Sequence, residues 1–427
     1  MRKPHLGILI KPASCDCNMA CDYCYYRPVE RLYGQVQAPR MALEVVDEVC
    51  RQYRALEPAQ IKIGWQGGEP TLMGLDFFRK AVEIETRRAR SGDCWGNSLQ
   101  TNGMVLNDEW CEFLARNHFL VGLSVDGPPD LNVMRKFPDG SPVYERTMRS
   151  LRLLDEHKVE TNILVVISRA NVDDPERILQ FMADNGQHFC QVIPCTEPAR
   201  GGLRPTEQVP QQRLSEQSIA AEQYAGFMTR LFDAWVENDD PSYYVRHIDN
   251  WLHLHFGLTP ECCEYREDCS NLVTIEWNGD VYPCDFFVEE RFRMGNVMEQ
   301  TLEQMLRGRA WREFTQAAEH VPAVCAGCPW LECCHGGCYR HRAKLGLGAD
   351  ERPYLCEANM RIFEHVFAAL DELKAGARKP RLHEFLNDLD RRAAAGEFGP
   401  LARQAARGRA TGPRAGTRRA RTRRRAP

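Results

Sequence analysis

The sequence predicts an α/β protein, six βα repeats in a parallel sheet followed by a cysteine-rich domain. Three observations predict it. Six short, nearly continuous apolar runs alternate with amphipathic stretches through residue 198, as in a parallel sheet covered on both faces. Polar and glycine-rich sequence follows the ends of those runs, the rim where barrels carry their chemistry. Of the 19 cysteines of the 427-residue chain, 14 gather in two territories, residues 15–24 and 262–356, and Cys50, Cys94, Cys111, Cys190 and Cys195 lie scattered between them.

In chain order, strands are expected at His5–Ile10, Ile61–Trp65, Ser98–Thr101, Leu120–Val125, Asn162–Ile167 and Phe189–Ile193. Helical periodicity lies between them at Ala42–Tyr53, Asp76–Arg90, Asp108–His118, Tyr144–His157 and Pro175–Asn185. The strand pattern alone leaves an open doubly wound sheet or a full or partial barrel. Gly, Pro and polar residues from Arg200 to Pro210 read as a linker, and Ser218–Asn238 as a helix with Tyr224, Phe227, Leu231 and Trp235 on one packing stripe. Val273–Trp277 and Asp280–Tyr282 flank Asn278-Gly279, a hairpin signal. Helices follow at Leu302–Leu306, Trp311–Ala318 and Glu357–Ala375. The organisation expected is a barrel over 1–198, a linker and helical segment over 199–261, a cysteine-rich domain over 262–375 and a basic, disordered tail over 376–427.

Composition narrows the class. With 43% hydrophobic and 27% charged residues the chain is ordinary globular protein. No apolar run approaches the ~18 residues that span a bilayer, and Leu6–Ile10 is too short for a signal peptide, so a cytoplasmic location is expected. The cytosol keeps thiols reduced, which turns the reading of so many cysteines from disulfides to metal or iron–sulfur ligation. Residues 398–427 hold ten Arg and no acid; the rest of the chain has 45 basic against 59 acidic residues. That tail attracts phosphates, but it lacks the aromatic residues of a nucleic-acid stacking platform, so no nucleic-acid partner is expected.

Cys17, Cys21 and Cys24 form Cys-x3-Cys-x2-Cys directly after the first strand. Three thiolates on one loop can hold three irons of a [4Fe–4S] cube and leave the fourth open to a small molecule. A zinc site is the competing reading; zinc usually takes two Cys pairs, and no second pair lies nearby. With Tyr23 before the third Cys and Gly67-Gly68-Glu69-Pro70 after the second strand, the pattern resembles the radical S-adenosylmethionine (SAM) superfamily. The resemblance implies a partial (β/α)6 barrel of the TIM type, that the open iron chelates SAM, that the reduced cluster splits SAM to a 5′-deoxyadenosyl radical, and that the Gly-Gly-Glu-Pro loop contacts the SAM amino group.

The second territory, Cys269-x9-Gly279-x4-Cys284 followed by Cys325-x2-Cys328-x5-Cys334-x3-Cys338 and Cys356, is similar to the seven-cysteine signature of SPASM domains. By that resemblance, with Cys263 as the eighth ligand, one auxiliary [4Fe–4S] cluster takes Cys263, Cys269, Cys284 and Cys338. The other takes Cys325, Cys328, Cys334 and Cys356. Three [4Fe–4S] clusters and SAM are thus the cofactors implied. A zinc-binding domain of similar fold remains open, and Cys262 and Cys333 adjoin ligands and could replace their neighbours.

Within SPASM proteins the chain resembles anaerobic sulfatase-maturating enzymes. Lys11-Pro12-Ala13, Asp16-Cys17-Asn18, Trp65-Gln66-Gly67-Gly68-Glu69-Pro70-Thr71-Leu72, Gln100-Thr101-Asn102-Gly103, Ser124-Val125-Asp126-Gly127-Pro128 and Gly279-Asp280-Val281-Tyr282-Pro283-Cys284-Asp285-Phe286 carry the resemblance. Cys15 and the stretch between Pro129 and Tyr144 depart from the family pattern. The resemblance implies oxidation of a Cys or Ser of an unfolded or nascent sulfatase segment to Cα-formylglycine, without oxygen. The radical removes a hydrogen from the β-carbon, a base takes the thiol or hydroxyl proton, and the auxiliary clusters accept an electron. It implies Asp285 as that base, and Tyr23, Gln66, Gly68, Ser124, Arg135 and Thr196 as SAM-site residues. A low-potential donor such as flavodoxin or ferredoxin would reduce the chain. Two other readings stand beside this one. The first is a SPASM peptide maturase making thioether or carbon–carbon crosslinks; such enzymes often carry a leader-binding module before the barrel, and about four residues precede the first strand here. The second is a non-catalytic iron–sulfur carrier.

Overall fold

The computed structural model describes residues 6–396 except 35, 59, 91, 92, 94, 200–213 and 377. His5, Arg200–Pro210 and the Arg-rich stretch after Phe398 lie outside the described residues. The barrel half runs β1 (Gly7–Lys11), α1 (Leu43–Ala55), β2 (Ile61–Trp65), α2 (Leu75–Arg88), β3 (Trp95–Thr101), α3 (Asp108–Arg116), β4 (Leu120–Ser124), α4 (Tyr144–Glu156), β5 (Thr161–Ile167), α5 (Pro175–Asp184) and β6 (Phe189–Pro194). It continues through α6 (Ala221–Asn238), β7 (Tyr244–Val245) and α7 (Arg246–His255). The C-terminal half comprises β8 (Leu272–Glu276), β9 (Asp280–Tyr282), β10 (Gly295–Asn296), α8 (Leu302–Leu306), α9 (Arg309–Ala318), the short α10 (Leu331–Cys334) and α11 (Arg340–Ala343), then α12 (Cys356–Ala375) and α13 (Pro380–Ala395).

All ten strands form one sheet in the order β10-β9-β8-β1-β2-β3-β4-β5-β6-β7. β1 to β7 are parallel neighbours, and among the described residues β7 and β10 do not pair, so the barrel stays open and partial. The hairpin expected inside a separate domain instead extends this sheet. β8 runs parallel to β1, with Lys11 beside Glu276, and β9 turns back antiparallel. Gly279 takes φ +89° in that turn.

Apolar stripes decide what the helices cover. Trp65 of β2 meets Phe78 of α2 edge-on at 5.3 Å, and Phe78 meets Trp110 of α3 at 5.4 Å. α3 starts where Asn107 accepts the Trp110 backbone N–H at 3.0 Å, and Pro175 opens α5. Gln52 of α1 ties the two halves: its amide donates to Val297 O at 2.8 Å and its carbonyl accepts from Leu302 N at 2.6 Å.

Two expectations about the segments differ from the structure. The 199–261 stretch is more than linker and one helix: β7 joins the sheet edge beside β6, and α7 buries Ile248, Trp251 and Leu252. The 376–427 tail is not one unstructured piece: Pro380–Ala395 is a helix with Leu382, Leu386 and Leu389 buried. The Arg-rich composition further on hides that apolar period from a reading of the whole tail.

Candidate active site

The cysteine loop follows β1 and is clamped from two sides. On one side Gly68 N donates to Ser14 O and Glu69 N donates to Asp16 O at 2.5 and 2.8 Å. A Cβ on Gly68 would lie 2.0 Å from Asp16 O, so the close approach of the two loops demands glycine there. On the other side Ala20 N and Asp22 N donate to Lys136 O and Met134 O at 2.8 and 3.1 Å. The 129–144 stretch that departs from the family pattern therefore braces the cysteine loop.

Glu69 fixes its own loop and the end of β3. Its buried carboxylate accepts from Thr71 N, Thr71 Oγ1, Thr101 Oγ1 and Asn102 N at 2.6–3.0 Å. Burial pushes its pKa up, against the pull of those donors. Asn102 also reaches back, placing Nδ2 3.6 Å from Cys17 Sγ.

The eleven predicted cysteines stand in three groups. Cys17 is electrostatically coupled to Cys21 and Cys24, and burial pushes Cys17 and Cys21 up to about 12 and about 11. Cys263, Cys269, Cys284 and Cys338 couple among themselves, and so do Cys325, Cys328, Cys334 and Cys356. The last four line one cavity of about 240 Å³ with Trp330, Arg352 and Phe363. Of the two ambiguous neighbours, Cys262 faces Arg246 and Cys333 lies in the main core. Among the described residues no three His, Cys, Asp or Glu side chains converge tightly enough to chelate one ion. Thiols spread around a shared space suit a cube, where each thiolate takes a different iron. Such a cluster would also hold these thiols deprotonated, offsetting the burial that raises them.

The predicted SAM-site residues lie at or beyond the C-terminal ends of β1, β2, β4 and β6. Arg135 is buried and donates to Asp126 Oδ1 at 2.8 Å, while its Nε has no protein partner. That orphaned donor fits a carboxylate supplied by a ligand. Tyr23 donates its hydroxyl to Asp126 Oδ2 at 2.5 Å, and its ring lies 5.5 Å from the Arg135 guanidinium. Ser124 Oγ accepts from Gln100 Nε2 at 2.9 Å and keeps its own hydrogen to donate. Thr196 is buried, with Arg340 NH2 3.4 Å from its Oγ1. Gln66 Oε1 accepts from Lys11 Nζ at 3.3 Å.

Asp285 comes from the C-terminal half, next to Cys284, and is brought to the end of β1. Tyr25 OH donates to its Oδ2 at 2.9 Å, and Lys11 Nζ lies 3.9 Å from the same oxygen. Lys11 is fully buried, 4.3 Å above the Tyr26 ring, and burial lowers its pKa against the pull of Asp285 and Glu276. Arg340 closes this side: it pairs with Glu197 and stacks 3.9 Å over Phe286.

Sequence reasoning missed Lys11, Tyr25, Asp126, Glu276 and Arg340 as site residues. A lysine ending an otherwise apolar strand was a signal for Lys11, and the aspartate beside Ser124 was one for Asp126. Arg340 depends on how the two halves meet, which no local pattern encodes.

Comparison with known proteins agrees with this architecture. The Radical SAM superfamily model matches residues 12–182, and the SPASM iron-sulfur cluster-binding domain matches residues 263–329. A serine-type anaerobic sulfatase-maturating enzyme of Bacteroides thetaiotaomicron is 32% identical over 86% of this chain and 91% of its own length. A cysteine-type enzyme of Clostridium perfringens is 31% identical over 86% and 98%. The structure of native anSMEcpe with bound AdoMet superposes with a TM-score of 0.78 at 30% identity, covering 87% of this chain and all of that one. Streptococcus suis SuiB bound to its precursor peptide shares the fold, with a TM-score of 0.60 at 15% identity over 83% and 76%. With the cysteine loop, the Gly-Gly-Glu-Pro clamp and the paired C-terminal thiol groups in place, the chain belongs to the anaerobic sulfatase-maturating enzymes, radical SAM proteins that carry a SPASM domain.

Proposed function

We propose that this protein oxidises a Cys or Ser side chain of a sulfatase polypeptide to Cα-formylglycine without oxygen. The observation that carries the reading is the meeting of Asp285, from the C-terminal half, with Lys11, Tyr25 and Gln66 at the barrel rim beside the cysteine loop.

Cys17, Cys21 and Cys24 would hold the SAM-binding cluster, and the two four-cysteine sets the auxiliary clusters. Loaded with SAM and its clusters, the site would supply hydrogen-atom abstraction at the target β-carbon and an acceptor for the second electron. Arg135 Nε and the Ser124 hydroxyl are the donors for the methionyl carboxylate, with Tyr23, Gly68 and Thr196 shaping the site around it. Asp285 takes the proton from the target thiol or hydroxyl. Tyr25 OH orients the carboxylate through Oδ2, while Oδ1 lies 3.6 Å from Cys284 Sγ. Lys11 Nζ lies 3.9 Å from that carboxylate without itself meeting solvent. The Tyr25–Phe286 pair, 4.9 Å between centroids, and the Arg340–Phe286 stack wall this side against water.

The target enters as an unfolded or nascent segment, because a folded sulfatase would bury the residue to be oxidised. A flavodoxin- or ferredoxin-like donor reduces the enzyme. No helix among the described residues is long and apolar enough to cross a membrane, and we place the enzyme in the cytoplasm. The units proposed are a barrel over 1–198, a connecting segment over 199–261 and the SPASM domain over 262–375.

The test is anaerobic reconstitution with SAM, dithionite and a Cys-x-Pro-x-Arg peptide, read by mass spectrometry with hydrazide trapping. A Cys peptide is expected to lose about 18 mass units and a Ser peptide about 2, each yielding a trapped aldehyde. A Cys peptide that loses about 2 units without an aldehyde would make the protein a crosslinking maturase.

A further inference from the structure

Arg342 stands apart from the other buried cations. It is 2% exposed, yet among the described residues its guanidinium makes no ion pair. Its NH2 donates to His320 O at 2.9 Å and lies 3.4 Å from Ala318 O, and its NH1 donates to Ala349 O at 3.1 Å. Its Nε is buried without a partner. Asp350, the nearest candidate counter-ion in sequence, is largely exposed and bonds His320 at 3.0 Å instead. Two residues earlier, Arg340 has Glu197 as a carboxylate partner.

The position of Arg342 explains what could balance it. It sits on α11, which begins two residues after Cys338. The carbonyls it binds belong to the end of α9 with the loop entering Cys325, and to the loop leading toward Cys356. One guanidinium thus ties together the segments that carry Cys338 and Cys325, which belong to different thiol groups. Its guanidinium lies 5.6 Å from the centre of the Tyr339 ring, and the groups acting on it electrostatically are Tyr339, both of those thiols and the exposed Asp350. A buried cation without an anion is costly, and arginine does not escape the cost by losing its proton. Four thiolates outweigh the positive charge of a [4Fe–4S] core, so each auxiliary cluster is a net anion. A fixed positive charge held by the segments that carry both thiol groups favours the more negative, reduced form of each cluster, and net charge around a cluster is one of the levers that sets its potential.

We propose that Arg342 is a counter-ion shared by the two auxiliary clusters, raising the reduction potential of both. The proposal rests on the reading that these clusters accept the substrate's second electron: the higher potentials make them better acceptors from the radical anion.

The test uses the full chain with Cys17, Cys21 and Cys24 changed to Ala, which leaves the auxiliary clusters as the only iron centres. Anaerobic redox titration followed by electron paramagnetic resonance compares Arg342, Arg342→Lys and Arg342→Gln. Arg342→Gln is expected to move both midpoint potentials to more negative values, and Arg342→Lys to leave them close to the parent. Unchanged potentials in Arg342→Gln, or a shift in one cluster alone, would overturn the proposal. If Arg342→Gln fails to retain iron, the comparison passes to iron content: Arg342→Lys must then hold both clusters, and its losing them too would overturn the charge argument. Failure of the oxidase reading would show separately, in the peptide assay, on which these potentials do not depend.

Discussion

At the scale of single residues, the site is held by contacts that leave no room for substitution. Gly68 packs its α-carbon against Asp16 O, where any Cβ would collide. Overpacking of this kind costs about 1–3 kcal/mol, here falling on the loop that positions SAM. Gly68→Ala is therefore expected to cut 5′-deoxyadenosine release under dithionite about 10–100-fold. Release at the parental rate would show that the clamp is dispensable. His341 offers a pH test. It is buried beside Arg340, its Nε2 has no partner, and burial holds its pKa down to about 3. The unfolded chain takes a proton there as pH falls below about 6.5, while the native state does not, so stability is lost on acidification. Between pH 7 and 5.5 this amounts to about 1.3 kcal/mol. Anaerobic urea unfolding of the parent and of His341→Gln at the two pH values should show the extra loss only in the parent.

At the scale of elements, local periodicity was legible wherever it was strong. Ile61–Trp65 is a strand with the same ends that its apolar alternation marks, and the other barrel elements shift by a residue or a few at their ends. α13 was not legible, because its stripe of Leu382, Leu386 and Leu389 stands next to sequence dominated by Arg and Ala. That helix is nonetheless part of the core: Asp239 accepts from Leu382 N at 3.0 Å and Lys374 pairs with Asp390 at 2.7 Å. Leu386→Ala is expected to destabilise the protein by about 2–5 kcal/mol, as for other large-to-small changes at fully buried sites. A loss under about 0.5 kcal/mol in denaturant unfolding would mean that α13 is only loosely attached.

At the scale of the whole molecule, the active centre exists because two distant stretches share one sheet. The cysteine spacings could be read from sequence because a loop that ligates iron has few allowed lengths. The partners of Asp285 could not, since Lys11 and Tyr25 are separated from it by 274 and 260 residues and meet it only through the β1–β8 pairing. The same holds for Arg340, which reaches Glu197 across 143 residues. On the proposed function, this convergence puts a base beside the residue being oxidised. Its most direct test is the product ratio of Asp285→Asn in single turnover with a Cys-x-Pro-x-Arg peptide. Loss of a general base typically costs about 10²–10⁴-fold. In that variant 5′-deoxyadenosine is expected still to form while formylglycine falls by about that factor. Formylglycine made in parental proportion to 5′-deoxyadenosine would contradict it.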